Sequence, residues 1–174
     1  IYEDWREDIK DLLNKAGVGD ASIFVVDKSR DTNTLNAYMT GIFSSKRIVL
    51  WDTTIDKLER EEVLSITAHE IGHYVLGHIW KSIVLGGIFS ILLIYIIYKT
   101  SNWVLINSNG SFGFNKLYYI ASLPLLIFLL NFYMFFANPI INFASRYMER
   151  EADFYEINLT KDRESAISSM LKLS

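Results

Sequence analysis

His69-Glu70-Ile71-Gly72-His73 is the stretch of this chain best equipped for chemistry. On an α-helix, side chains four residues apart share a face. Two imidazoles at that spacing can grip one Zn²⁺, and Glu70 then lies near enough to take a proton from a water activated by the metal. The residue types amount to two metal ligands and a general base, which is the equipment of a metal-dependent hydrolase and above all of a peptidase. The competing reading is a pair of histidines on a buried helix, but a carboxylate between them has no structural use there.

The elements that must position these residues can be read around them. Leu58 to Trp80 reads as one helix: it has no Pro, only Gly72 and Gly77, and Leu64, Ile71, Val75 and Ile79 at helical spacing. Asp56-Lys57-Leu58-Glu59 resembles a capping box at its start. Upstream, Tyr2 to Ala16 is an amphipathic helix with Trp5, Ile9, Leu12, Leu13 and Ala16 along one side and Gly17 to end it. Ser22–Val26, Leu35–Ile42 and Lys46–Trp51 read as strands, the last two joined by Phe43-Ser44-Ser45. Downstream come two uncharged runs, a helix from about Asn142 to Ile157, and a short closing helix from Asp162 to Leu173. A small sheet followed by helices is an α+β pattern, and 174 residues suit one domain.

The uncharged runs, Ser82–Tyr98 and Leu117–Ala137, are long enough to cross a bilayer, the first near the lower limit. Trp80, Tyr98, Trp103, Tyr118 and Tyr119 crowd their ends, as interfacial aromatics do. Two buried helices of a soluble core are the alternative, but such helices rarely run so far without a charge. A hairpin of two spans returns the motif helix and the Asn142 helix to the same side, where they can meet over one metal. That side holds Lys28, Arg30, Lys46, Arg47, Lys57, Arg60, Arg146 and Arg150, while the loop between the spans holds only Lys99 and Lys116. The positive-inside bias therefore places the catalytic side in the cytosol. Asn109-Gly110-Ser111 in the loop is a glycosylation sequon.

Composition narrows the chemistry. The absence of cysteine excludes disulfides, thiol nucleophiles and Cys-ligated zinc. A net charge of −3 without a basic block gives no support to nucleic-acid binding. No signal peptide is visible, the first residue is Ile1 and the first Met is Met39, so the chain is expected to be a piece of something longer.

Two histidines leave a catalytic zinc short of protein ligands. His78, the remaining histidine, falls about 140° from the His69/His73 face on a continuous helix, and reads as a polar residue beside Gly77 or as one that supports a ligand without binding the metal. Arg146 to Asp153 offers carboxylates instead. Glu149 and Asp153 lie one turn apart, so Glu149 can bind the metal while Asp153 accepts the N–H of a ligating histidine. Spacing leaves equally open that Glu149 is a solvated acid paired with Arg146 or Arg150. Glu151 points elsewhere and reads as an exposed charge, and Glu156 has no comparable partner.

HEIGHYVLGH, NAYMTGIFSSKRIVLWDT and NFASRYMEREAD, in that set, resemble the M48 family of membrane metallopeptidases, most of all its type I CAAX prenyl endopeptidases. The likeness runs from about Asn36 to Asp153 and includes both spans and the SFGF of Ser111–Phe114. It implies a zincin-like (gluzincin) fold with a two-helix transmembrane hairpin inserted between the metal-binding helices. It implies one Zn²⁺ per chain held by His69, His73 and Glu149, with Glu70 as general base and Asp153 supporting a ligand. Asn36 and Ala37 would lie in the edge strand where substrate docks, since a peptide can add to a free sheet edge through main-chain hydrogen bonds. The implied substrate is a peptide or prenylated protein C-terminus that loses its last three residues. The implied setting is membrane lipid, in the endoplasmic reticulum, with no nucleic-acid partner and an open oligomeric state. Two other readings stand beside it: a broader quality-control peptidase for membrane proteins, and a catalytically silent membrane scaffold with a structural metal. Enzymes of this kind carry further membrane helices before the catalytic part, and a His and an Arg after it that stabilise the oxyanion. No His follows His78 here, so the isolated segment is expected to be weakly active or inactive.

Overall fold

A computed structural model describes residues 2–42, 45–108 and 110–173. Phe43 and Ser44 of the strand connection and Asn109 of the sequon lie outside the described residues. The architecture is α+β, with helices predominating. The chain divides into two compact units, Ile1–Ile79 with Tyr147–Ser174, and Trp80–Arg146.

The first unit opens with α1 (Tyr2–Lys15), which buries Ile9, Leu12 and Leu13 and ends at Gly17, whose φ of +74° suits a residue without Cβ. Strands β1 (Ser22–Val26), β2 (Ala37–Thr40) and β3 (Arg47–Trp51) follow; β1 has the expected bounds, β3 starts one residue later than expected, and β2 is half the length of the expected Leu35–Ile42, leaving Asn36 just before it. Their order is β1-β3-β2, with β1 parallel and β2 antiparallel to β3. The central strand buries Ile48, Val49 and Leu50 in succession, as a strand covered on both faces must. β2 lies at an edge and alternates, with Ala37 and Met39 buried and Tyr38 exposed. Ile48, Met39 and Leu50 join α1 and the motif helix in one core through Leu13, Val63, Ile66 and Ile71.

Asp52 locks the exit from β3. It opens the short helix α2 (Asp52–Lys57) and accepts hydrogen bonds from the backbone N–H groups of Lys28 at 2.8 Å, Ser29 at 3.1 Å and Thr53 at 2.8 Å. These donors, foremost Lys28 N–H, stabilise the ionised carboxyl and lower its pKa to about 2.

The motif helix differs from expectation at both ends. It is α3, Arg60–Val75, rather than one helix from Leu58 to Trp80. Its capping box is Glu59 with Glu62, not Asp56 with Glu59: the Glu59 side chain accepts the Glu62 N–H, and Glu62 Oε2 accepts the Glu59 N–H at 2.9 Å. At the other end Gly77 takes a φ of +68° and its N–H bonds to Tyr74 O at 3.1 Å, the left-handed close that favours glycine. A new helix, α4 (His78–Asn107), starts directly after it.

The helix expected to begin near Asn142 is likewise not a separate element. It is the end of α5, Leu123–Thr160, which follows a 3-10 turn at Ile120–Ser122 and runs through Pro139. Pro139 costs the helix one N–H, yet helical hydrogen bonding resumes beyond it. The change from apolar to charged residues near Asn142 is therefore not a helix end. The last element, α6 (Arg163–Leu173), is capped by Asp162 Oδ1, which accepts the Glu164 and Ser165 N–H groups at 3.1 Å each. It is tied to α3 by Lys172 Nζ, 2.7 Å from Glu62 Oε2.

The second unit holds most of α4 and the earlier part of α5, two helices long and apolar enough to cross a membrane. Their large apolar side chains are not those of a buried core: Ile91 and Phe135 are each 73% exposed. The polar groups among them are satisfied locally. Thr100 Oγ1 and Tyr133 Oη are 2.6 Å apart, and Ser101 Oγ donates to Ile97 O at 2.6 Å.

Candidate metal centre

The candidate site lies within the first unit, where α3 passes the last turns of α5. A single glycine sets how closely they pass. A Cβ on Gly72 would stand 3.2 Å from Tyr155 Cβ and 3.4 Å from the Ala152 Cα, so a side chain here would press the two helices apart by a few tenths of an ångström. Ala152 is fully buried against it. The variable positions of the H-E-x-x-H pattern are thus used as well: Ile71 fills the core, and Gly72 brings the second helix within reach.

His69, His73 and Glu149 meet at the resulting seam. His69 Nε2 and His73 Nε2 are 3.0 Å apart, and Glu149 Oε2 is 3.4 Å from each. Ligand atoms about 2.0–2.2 Å from a tetrahedral zinc lie about 3.3–3.6 Å from one another. The two edges to Glu149 fall in that range and the edge between the imidazoles is a few tenths of an ångström shorter, so the triangle is close to the size a zinc ion requires, and its borderline nitrogen and hard oxygen donors suit that ion. Two facing Nε2 lone pairs would repel each other without a cation or a proton between them. Among the described residues no fourth protein donor joins this triangle, and the Glu149 side chain is 56% exposed, so one side of the site stays open. Glu149 turns to the imidazoles rather than to Arg146 or Arg150, and the Arg150 guanidinium lies over the Phe154 ring.

The other nitrogen of His69 faces acids. Its Nδ1 lies 3.1 Å from Asp153 Oδ1 and 3.4 Å from Glu156 Oε2. Burial opposes a charged His69, but Glu156, Glu70 and Asp153 outweigh it and raise the pKa. The field around this ring therefore favours a positive charge. His73 moves the other way: burial, and then the charge on His69, hold its pKa low and keep it a neutral donor.

Glu70 is half-buried and follows His69 on the same helix. Loss of solvent raises its pKa to about 7, opposed by His69 and assisted by the Glu149 charge. A carboxyl poised near neutrality can both take and return a proton. Asn36 and Ala37 are placed on a different element, at the start of β2. Asn36 is exposed, its N–H lies 2.8 Å from Thr54 Oγ1, and its carbonyl accepts the Trp51 N–H at 3.1 Å. Bonded residues alternate along an antiparallel pair, so the main-chain groups of Ala37 and Met39 belong to the free edge.

Two neighbours of the site, Glu156 and Glu151, differ from expectation, and a third, His78, takes the supporting place that was one of its two readings. Glu156 is 2% exposed, accepts a hydrogen bond from Ser65 Oγ, and faces His69. Its signal was its place one turn after Asp153 and two turns after Glu149 on one face. Glu151 is not a fully exposed charge: Glu151 Oε2 lies 3.3 Å from His78 Nε2. His78 is 3% exposed, with Nδ1 2.9 Å from His73 Nδ1. The helix break at Gly77 releases it from the angle that a continuous helix would impose.

The sequence model of Peptidase family M48 matches residues 3–174. An uncharacterized metalloprotease of Bacillus subtilis, YhfN, is 38% identical over 166 residues, covering 95% of this chain and 39% of the relative. A CAAX prenyl protease 1 homolog of Dictyostelium discoideum is 35% identical over 148 residues, covering 79% of this chain and 32% of the relative. The crystal structure of S. mikatae Ste24p superposes with a TM-score of 0.70 at 30% identity, over 97% of this chain and 42% of that one. The chain thus spans less than half the length of each of these proteins.

Proposed function

Because the chain belongs to peptidase family M48, we propose that it is the zincin-like catalytic segment of a zinc-dependent, membrane-integral endopeptidase. The observation that carries the reading is the His69–His73–Glu149 triangle, with edges of 3.0, 3.4 and 3.4 Å, beside the half-buried Glu70. His69, His73 and Glu149 hold one Zn²⁺. When bound, that ion supplies Lewis acidity, polarising a peptide carbonyl and making water acidic near neutral pH.

The chain's own residues do the rest. Glu70 takes the proton of the attacking water on a carboxylate oxygen and passes it to the departing amine. Asp153, with Glu156 beside it, holds the His69 ring by its Nδ1 and leaves Nε2 free to bind. Substrate docks as an added strand along β2, with Asn36 and Ala37 at the start of the contact. The two apolar helices anchor the enzyme in lipid, with the catalytic side toward the cytosol and, in a eukaryotic cell, in the endoplasmic reticulum.

The substrate class we propose is the C-terminus of prenylated CAAX proteins, from which three residues are removed. Several relatives bear the name CAAX prenyl protease 1, and this supports the class. A broader role on unprenylated membrane proteins is the second reading, favoured by the 38% identity to a relative named only as a metalloprotease. Cleavage of matched prenylated and unprenylated peptides by the full-length protein separates them. A strong preference for the prenylated peptide supports the first reading, and equal rates support the second. Cleavage of neither, by protein shown to hold zinc, favours a silent scaffold.

A further inference from the structure

We infer that His78 and Glu151 form a positioning relay that holds the ring of His73 and fixes its tautomer. This rests on the proposed metal centre, in which His73 binds through Nε2. Three buried or half-buried groups stand in line: His73 Nδ1 is 2.9 Å from His78 Nδ1, and His78 Nε2 is 3.3 Å from Glu151 Oε2. With the metal on His73 Nε2, that ring carries its proton on Nδ1 and donates it toward His78 Nδ1. His78 then carries its own proton on Nε2, the nitrogen that faces Glu151 Oε2. His78 Nδ1 is then a lone pair and accepts from His73 Nδ1–H. His73 Nε2 is left bare, pointing at His69 Nε2 and Glu149.

Each imidazole of the centre thus has its own acid. His69 has Asp153 in direct reach, and His73 has Glu151 through one intervening ring. The helix break provides for this. Gly77, in the left-handed region, ends α3 four residues after His73 and turns the first residue of α4 back beside that ring. His78 is 3% exposed, so water does not compete for the contact. A histidine buried at a helix start, between another imidazole and a carboxylate, has this use and no evident packing one, since a Leu or Phe fills the same space without needing partners.

Zinc affinity of the full-length protein tests the relay, measured by competition with a chromophoric chelator. The variants are His78→Phe, His78→Asn and Glu151→Ala, with His73→Ala as reference. Melting of each metal-free variant checks its fold. His78→Phe is expected to weaken zinc by about 10–100-fold. His78→Asn, whose Oδ1 stands where Nδ1 stood, is expected to recover much of that loss. Glu151→Ala is expected to weaken zinc by a smaller factor.

Affinity of His78→Phe within twofold of wild type overturns the relay. So does a His78→Asn variant no better than His78→Phe when both melt like wild type, since ring shape rather than the acceptor is then at work. Should His78→Phe not fold, Glu151→Ala decides, and unchanged affinity there overturns the relay. Unchanged affinity in His73→Ala would instead overturn the metal centre, and the relay with it.

Discussion

Asp153 Oδ1 stands 3.1 Å from His69 Nδ1, across the ring from the Nε2 that faces His73 and Glu149. In the proposed centre the two nitrogens of one imidazole would have separate duties. A carboxylate at Nδ1 selects the tautomer with a bare Nε2, steadies the ring and makes that nitrogen a better donor. Asp153→Ala should weaken zinc by about 10–100-fold without abolishing binding. Chelator competition measures this. Unchanged affinity would mean that Glu156, 3.4 Å from the same atom, suffices alone.

Glu70 makes no edge of the donor triangle, so its removal should separate binding from catalysis. Glu70→Ala in the full-length protein is expected to retain zinc and to lose about 10²–10⁴-fold in turnover. Substantial remaining turnover would assign the base to another group. Loss of zinc would place Glu70 among the ligands.

Gly72 controls the spacing of the two helices. Gly72→Val would drive methyl groups into Tyr155 and the Ala152 backbone, which already lie 3.2 and 3.4 Å from a single added Cβ. The expected outcome is a loss of about 1–3 kcal/mol in stability, with weaker zinc binding as Glu149 and Asp153 are pushed from the imidazoles. Calorimetry of the metal-free form and a zinc titration measure the two effects. A variant that melts and binds like wild type would show that the seam is looser than the contact implies.

How far the sequence carries this picture can be judged residue by residue. The strands were legible because Ser22–Val26 and Arg47–Trp51 are dense in branched apolar residues bounded by polar turns. The His69, Glu70 and His73 spacing was legible because helix geometry alone puts them together. Glu149 was ambiguous, since no local rule decides between a metal ligand and a surface acid; only the fold brings it to His69 and His73. The break at Gly77 was hidden because an isolated glycine is tolerated inside a helix, and with it went the position of His78. Glu156 was missed because its partners, Ser65 and His69, come from a distant stretch of chain.

Asp52 supplies a test of the fold that leaves the metal aside. Its pKa of about 2 lies below the ordinary 3.8 because backbone N–H groups stabilise the anion. A carboxyl with a lowered folded-state pKa adds stability that is fully present above the unfolded value and is lost as pH falls through the folded one. Wild-type stability should therefore decline between about pH 4 and pH 2 in part through Asp52. Asp52→Asn should be less stable at neutral pH and should show a shallower decline in that window. Parallel pH profiles of melting temperature for the two proteins would contradict this.

The location of bound zinc tests the central claim most directly, because His69 belongs to two candidate donor sets, one with His73 and Glu149 and one with Asp153 and Glu156. Anomalous scattering at the zinc edge from crystals of the full-length protein would locate the ion. The account predicts one zinc about 2.0–2.2 Å from His69 Nε2, His73 Nε2 and a Glu149 oxygen, with a remaining position open beside Glu70. Zinc at His69 Nδ1 with Asp153 and Glu156, or a site closed by a fourth protein ligand, would contradict it.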